Sequence, residues 1–209
     1  MNRLLAVFQL ANLAFFLAVF TGRSLYLWFT QGINPFALGS GKRGLPRLLE
    51  LALLPWLALW LLDILFSALP AAWRLLPAAW DPVLFNLLPL KIAGIVLILA
   101  GDFLFAWALI SFGSSWRIGI DEKVAGGLMT GGAFAFSRNP IFVFLNLYFL
   151  GTFLLTGTLS FLVFILVTIT GIHLQILQEE RFLAGRFGLA YRDYCACTGR
   201  YFSLKRNRI

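Results

Sequence analysis

Long apolar runs constrain this 209-residue chain more than any other feature of its sequence. Several approach the ~20 residues that an α-helix needs to cross the ~30 Å hydrocarbon core of a bilayer. They lie at residues 4–20 (extendable to 29), 47–69, 89–112, 141–156 and 158–177. Only 12% of residues are charged, against roughly a quarter in soluble domains. The sequence therefore predicts an all-α, polytopic integral membrane protein of one domain, with about five transmembrane helices.

The charged residues predict an orientation for these spans. With five spans, the basic residues of the connections 31–47 and 112–136 and of the tail 181–209 share one side of the membrane. The positive-inside rule then places the N-terminus outside and the C-terminus in the cytoplasm. The tail is predicted to be helical to about Tyr194. The first span lacks a clear small-residue cleavage site, so we expect a retained span rather than a signal peptide.

The net charge of +8 does not indicate a nucleic-acid partner. The basic residues sit in short loops beside the spans and in the tail, where topology and anionic lipid headgroups explain them. Cys195 and Cys197 are too close for an ordinary disulfide and too few for a zinc site. No metal is therefore expected.

One candidate site begins at the turn before the fourth span. Pro140 suits a first helical turn, and Arg138 and Asn139 precede it. A helix N-terminus with a guanidinium suits a carboxylate or phosphate. The alternative is that Arg138 anchors the helix at the membrane interface and Asn139 caps it. Helical spacing then places Phe142 and Asn146 on the face of Asn139, with Asn146 deeper.

A second group of polar residues lies at the end of the fifth span. His173 and Glu180 are seven residues apart and therefore share a helix face. Ionisable residues at membrane depth are costly and indicate function. The alternative is that His173 hydrogen-bonds a neighbouring helix and that Glu180 and Glu179 pair with Arg181 or Arg186.

Two acids lie inside earlier spans. Asp63 and Asp102 could pair with each other, pair with Lys91, or line the route of a substrate. The sequence does not choose among these three roles.

Several of these residues carry a family resemblance. The chain carries, in this order, Arg138-Asn139-Pro140-x-Phe142, the hairpin of spans four and five, Glu179-Glu180-x-x-Leu183, Phe187-Gly188, Tyr191, Tyr194 and Arg200. This order resembles the isoprenylcysteine carboxyl methyltransferase and phospholipid methyltransferase family. Ser115-Trp116-Arg117-Ile118-Gly119 and Leu128-x-Thr130-Gly131 are similar to its bacterial members. The likeness covers about residues 103–202 and leaves 1–102 as scaffold spans.

The resemblance implies a membrane enzyme that uses S-adenosylmethionine, bound near the cytosolic face by the final spans and tail, in a bacterial inner membrane. Arg138 and Glu180 are expected to be catalytic. The expected cofactor-binding residues are Arg138, Asn139, Pro140, Phe142, His173, Glu179, Glu180, Tyr191, Tyr194 and Arg200. Trp116, Arg117 and Asn146 are expected to bind the substrate.

The chain departs from the family's Arg-His-Pro-x-Tyr turn at two positions. Asn139 stands where the family commonly has histidine, and Phe142 where it has tyrosine. These changes leave open which acceptor is methylated.

The residue chemistry fits this cofactor. Arginine suits the carboxylate of S-adenosylmethionine, and glutamate suits its ammonium or ribose diol. Aromatic rings suit its adenine and sulfonium. The expected acceptor is lipidic or a small hydrophobic molecule, with oxygen, nitrogen and sulfur all open as the methylated atom.

Two other functions remain open from the sequence. A sterol-type membrane reductase would share a similar hairpin and tail, although the chain lacks a dinucleotide fingerprint. A non-enzymatic transporter or scaffold would use Asp63, Asp102 and His173 for proton or ion passage.

Overall fold

A computed structural model of the protein describes residues 3–32, 45–69, 76–77, 79–113 and 127–203. These residues form helices and connecting turns, and no strand occurs among them. The helices are α1 Arg3–Gln31, α2 Leu45–Ala68, α3 Leu88–Phe112, α4 Ala133–Phe136, α5 Pro140–Thr156, α6 Leu159–Phe187 and α7 Leu189–Cys197.

The helices α1, α2, α3 and α6 are long and apolar enough to cross a membrane. The apolar helix α5 has 17 residues, which gives a length of about 25 Å at 1.5 Å per residue. That length is at the lower end of the range for a transmembrane helix. The predicted all-α, polytopic membrane architecture is therefore confirmed.

The helix α6 differs from its predicted extent. It continues unbroken from Leu159 to Phe187, ten residues beyond the predicted end of the span at 177. His173 and Glu180 therefore project from one continuous helix. The predicted helical tail is interrupted at Gly188, whose φ of +53° favours glycine, and α7 then extends to Cys197.

The helices α1 and α3 run parallel. The side-chain amide of Asn12 donates to the carboxylate of Asp102, and the Arg23 guanidinium donates to the carbonyl of Gly113. The second contact lies eleven residues beyond the first on both helices, so the two helices keep the same register over about three turns. Asp102 thus has a hydrogen-bond partner that the sequence did not predict, and α1 and α3 end on the same side of the bundle.

The helices α3 and α5 run antiparallel and approach closely at two glycines. A Cβ atom on Gly94 would lie 2.7 Å from the Gly151 carbonyl oxygen, and one on Gly151 would lie 2.8 Å from the Gly94 carbonyl oxygen. Gly101, further along α3, faces Phe144. Small residues let helix backbones approach in membranes. This crossing places the start of α5, and hence the turn 137–139, at the end of the bundle where α3 terminates.

Residues 81–85 close the opposite end of the bundle. The Leu84 amide donates to the Gly157 carbonyl at 2.7 Å, and the Leu159 amide donates to the Pro82 carbonyl at 3.1 Å. The buried carboxylate of Asp81 accepts a hydrogen bond of 2.7 Å from the backbone amide of Ser160. This carboxylate satisfies one of the free amides in the first turn of α6.

Replacing Asp81 by alanine should destabilise the protein by about 1 kcal/mol, because the Ser160 amide loses its acceptor at the start of a helix. Thermal unfolding of the purified protein in detergent measures this change. Asp193→Ala is the control, since Asp193 is exposed on α7. Equal melting temperatures for the two variants would show that the Asp81 contact does not stabilise α6.

Candidate active site

The centre of the candidate site is the carboxylate of Glu180, whose side chain is 11% exposed. Its Oε1 accepts hydrogen bonds from Nη2 and Nε of Arg138 at 2.9 and 3.2 Å. Its Oε2 accepts from Nη2 and Nε of Arg200 at 2.7 and 3.0 Å. Asn139 Nδ2 lies 3.4 Å from Oε1. We call Arg138, Glu180 and Arg200 the charge cluster; its net charge is +1.

Backbone contacts hold this cluster together. Residues 198–203, which we call the C-terminal strap, follow α7 and dock on residues 136–139. The Arg138 amide donates to the Gly199 carbonyl at 3.0 Å, and the Ser203 amide donates to the Phe136 carbonyl at 2.8 Å. Asn139 Nδ2 also donates to the Arg200 carbonyl at 3.1 Å. The strap thereby brings Arg200 to a carboxylate twenty residues earlier in the chain.

The turn before α5 differs from one role considered for it, the helix cap. Asn139 occupies the N-cap position of α5, yet its side chain bonds Glu180 and Arg200 instead of capping the helix. The anion beside Arg138 is the protein's own Glu180. Ser137 is fully buried, and its hydroxyl accepts the Asn139 amide at 3.0 Å.

An aromatic cluster lies beside the charge cluster. Tyr191 and Tyr194 of α7 are buried with Phe134, and their rings meet edge-on with centroids 6.1 Å apart. The Tyr194 hydroxyl donates to the Phe134 carbonyl at 2.6 Å, whereas the buried Tyr191 hydroxyl has no partner among the described residues. Burial raises the pKa of both phenols, and the charge of Glu180 raises them further. Both tyrosines therefore remain neutral hydrogen-bond donors at physiological pH.

A third contact links α6 to the strap. Nδ1 of His173 lies 2.6 Å from the Tyr201 hydroxyl, and the two rings stack with centroids 6.3 Å apart. Burial raises the pKa of Tyr201, so it is a neutral phenol. The hydrogen bond to Glu180 raises the pKa of Arg200, which keeps its guanidinium charged.

The other predicted residues lie around this centre. Pro140 is buried as the first residue of α5, and Phe142 and Glu179 are half-buried. Asn146 is half-buried, and its buried Oδ1 has no partner among the described residues. Trp116 and Arg117 lie outside the described residues.

Sequence reasoning missed two contributors to this site. Tyr201 directly follows the predicted Arg200, and that adjacency is a signal that could have found it. Ser137 directly precedes the predicted Arg138, so the same kind of adjacency could have found it, although its hydroxyl contact to the Arg200 carbonyl at 3.3 Å depends on the docked strap.

In the part of the chain that the structure describes, no three His, Cys, Asp or Glu side chains group closely enough to hold a metal ion. The polar and aromatic groups of the candidate site are the charge cluster, the aromatic cluster and the His173–Tyr201 pair.

A comparison with known families finds a match over this part of the chain. A family model described as phospholipid methyltransferase matches residues 90–190. Residues 90–190 are therefore similar to phospholipid methyltransferases. The match runs from α3 into α7 and includes the Arg138 turn and Glu180, which confirms the predicted resemblance. The family indicates a methyltransferase for lipid-type substrates at a membrane. No curated protein matches the chain significantly.

Proposed function

We propose that this protein is an S-adenosylmethionine-dependent methyltransferase that methylates a lipidic or small hydrophobic acceptor at the membrane. One observation carries the proposal. Three motif residues distant in sequence, Arg138, Glu180 and Arg200, meet in one cluster beside Tyr191, whose buried hydroxyl has no partner among the described residues. Buried polar groups are normally hydrogen-bonded, so an unpaired hydroxyl at such a cluster supports a ligand site.

The groups present fit the cofactor's chemistry. The net positive charge cluster suits a carboxylate, and guanidinium groups bind carboxylates well. The Tyr191 hydroxyl supplies a neutral donor, and the rings of Tyr191 and Phe142 suit an adenine or a sulfonium. When bound, S-adenosylmethionine supplies an electrophilic methyl group. The protein's part is to position the acceptor and exclude water.

Within this proposal, Glu180 organises the site. Both of its oxygens are engaged by guanidinium groups, so its electron pairs are already used as acceptors. We assign it the role of holding Arg138 and Arg200 in place, with the two arginines facing the cofactor. Asn139, Pro140, His173, Glu179 and Tyr194 complete the proposed cofactor surroundings.

The acceptor is assigned to the membrane side of the cluster. Asn146 lies seven residues into α5 from Asn139, about 10 Å deeper, and its Oδ1 has no partner among the described residues. This free acceptor atom supports a role in substrate binding. Trp116 and Arg117 keep the substrate-binding role that the resemblance implies.

The proposed orientation places this site in the cytoplasm of a bacterial cell, at its inner membrane. The helix end that carries the site also carries Arg23, Arg181, Arg186 and Arg192, whereas Arg3 and Lys91 lie toward the other end. The positive-inside rule supports a cytoplasmic site and an outside N-terminus. We regard the chain as one membrane domain, with residues 1–102 as scaffold and 103–202 as the methyltransferase region.

Two tyrosine variants test the proposed site through binding of S-adenosylhomocysteine, measured by titration calorimetry in detergent. Tyr191→Phe should leave thermal stability unchanged, because its hydroxyl has no hydrogen-bond partner among the described residues, but should weaken binding about tenfold, or ~1.4 kcal/mol. Tyr194→Phe should instead lower stability by about 1 kcal/mol, because a buried bond to the Phe134 carbonyl is lost.

The wild-type titration decides the function itself. A folded protein that binds neither S-adenosylmethionine nor S-adenosylhomocysteine is incompatible with the proposal. Binding by the wild type with an unchanged affinity in Tyr191→Phe would keep the function and remove Tyr191 from the site.

A further inference from the structure

His173 and Tyr201 form a hydrogen-bonded pair with the chemistry of a proton relay. The bond between Nδ1 and the hydroxyl is 2.6 Å long. His173 is the single histidine of the chain, and Asn139 in the turn before α5 and Phe142 in the first turn of α5 carry neither an imidazole nor a phenol. The pair is therefore the one place at this site where a histidine can accept a proton.

The pair lies on the membrane side of the charge cluster. His173 is seven residues before Glu180 on α6, which places it about 10 Å deeper. Tyr201 packs against the buried cluster of Leu104, Ala108, Ala133 and Val143 from α3, α4 and α5. An apolar acceptor that enters from the bilayer would therefore reach the His173–Tyr201 pair before it reached the charge cluster.

The neighbouring surface of α6 is open to lipid. Leu174 follows His173 directly, and Thr170 precedes it by one turn; both are exposed, while His173 is half-buried. A hydrophobic molecule on this face therefore has its polar end within reach of the pair without crossing the bundle.

We propose that the Tyr201–His173 pair takes the proton from the methyl acceptor, and that the acceptor is therefore a hydroxyl, thiol or amine rather than a carboxylate. This inference rests on the proposed methyltransferase function. An acceptor that is already an anion needs no base, so a carboxylate-methylating site has no use for a histidine paired in this way.

The step balances in atoms and electrons. A lone pair of the acceptor's oxygen, sulfur or nitrogen forms the bond to the methyl carbon, and the carbon–sulfur bond of the sulfonium breaks with its electrons remaining on sulfur. The acceptor's proton passes to the Tyr201 oxygen, and the Tyr201 proton moves along the existing hydrogen bond to Nδ1 of His173. An imidazolium, a neutral thioether and the methylated acceptor result.

The charges around the pair come from the elements that surround it. Glu180 lies on the same helix, Arg138 precedes α5, and Arg200 adjoins Tyr201 on the strap. On α2, which also packs against α6, Arg47 lies near the helix end on the side of the site.

The single histidine allows a direct test of the pair. In protein labelled with ¹⁵N-histidine and held in detergent micelles, the NMR resonance of Nδ1 should be that of an unprotonated, hydrogen-bonded nitrogen. Tyr201→Phe should move it toward the position of an unbonded nitrogen. The same resonance in both proteins would overturn the pairing and with it the relay.

Methyl transfer tests the role of the pair. Decanol, decanethiol and decylamine are compared with decanoate as acceptors, with label transferred from S-adenosylmethionine. His173→Gln and Tyr201→Phe should each lower transfer to the proton-bearing acceptors about 100-fold. Tyr201 is not among the proposed cofactor-binding residues, so transfer to decanoate and the affinity for S-adenosylhomocysteine should be unchanged in Tyr201→Phe.

Each contrary result has its own meaning. The relay would be overturned if both variants kept wild-type activity. It would also be overturned if a wild type that binds S-adenosylhomocysteine methylated decanoate alone or showed no activity on the three proton-bearing acceptors. Loss of that affinity in Tyr201→Phe would give the pair a structural role instead. A wild type that does not bind S-adenosylhomocysteine would refute the methyltransferase function itself.

Discussion

Replacing Glu180 by glutamine is expected to lower the affinity for S-adenosylhomocysteine by about 100-fold, which corresponds to ~2.7 kcal/mol. Four nitrogen–oxygen contacts from Arg138 and Arg200 converge on this one carboxylate. Hydrogen bonds to charged groups contribute about 1.5–3 kcal/mol each, and the 36% exposure of Arg200 favours the lower end. Without the carboxylate, the two guanidinium groups repel each other and leave their positions.

The measurement is titration calorimetry, paired with a melting curve that shows whether the variant remains folded. Asp193→Asn is the matched control, because it removes one carboxylate charge from an exposed position on α7. Arg200→Lys is a second variant that keeps the charge but loses the two-nitrogen contact to Oε2, so its affinity should be intermediate. Wild-type affinity in Glu180→Gln would place the cofactor elsewhere.

The convergence of Arg138 and Glu180 was predictable from local patterns. Pro140 fixes the start of α5, and the short connection at Gly157 makes α5 and α6 antiparallel neighbours. The turn before α5 and the charged end of α6 must then lie at the same end of the bundle. Sequence reasoning reached this arrangement because helix length and loop length alone determine it.

The position of the C-terminal strap was not predictable in the same way. Its docking depends on backbone carbonyls, such as those of Gly199 and Arg200, which every residue possesses and no motif marks. The Tyr201 contact to His173 follows from that docking and joins residues 28 positions apart. The sequence therefore predicted Arg200 as a site residue but not Tyr201.

The contacts of the first span with its neighbouring helices could not be predicted from the sequence for a related reason. Hydropathy identifies residues 4–20 as apolar, but it does not report which helix lies alongside. The Asn12 amide bonds Asp102, and Arg23 reaches the end of α3, so α1 extends as a helix to Gln31. Polar residues in spans indicate contacts inside the bundle, yet their partners become known only when helix order and rotation are known.

Adding a single methyl group at Gly151 is expected to destabilise the protein by about 2 kcal/mol. A Cβ at this position would lie 2.6 Å from Cγ1 of Ile98 and 2.8 Å from the carbonyl oxygen of Gly94, so α3 and α5 must separate. Because α5 begins directly after Arg138 and Asn139, this shift also displaces the turn from Glu180. Gly151→Ala should therefore lower both the melting temperature and the affinity for S-adenosylhomocysteine.

Gly171→Ala is the matched control, with the opposite expected sign. Outside the backbone of its own helix, no atom of the described residues lies within 4 Å of a Cβ at Gly171, so the gain in helix propensity of up to about 1 kcal/mol is not opposed by a clash. A second substitution, Ile98→Ala, removes the side chain nearest to the new methyl group but also empties part of the core, because Ile98 is buried. The loss of stability in the double variant should therefore be smaller than the sum of the two single losses. Equal melting temperatures for Gly151→Ala and Gly171→Ala would mean that α3 and α5 do not cross at these glycines.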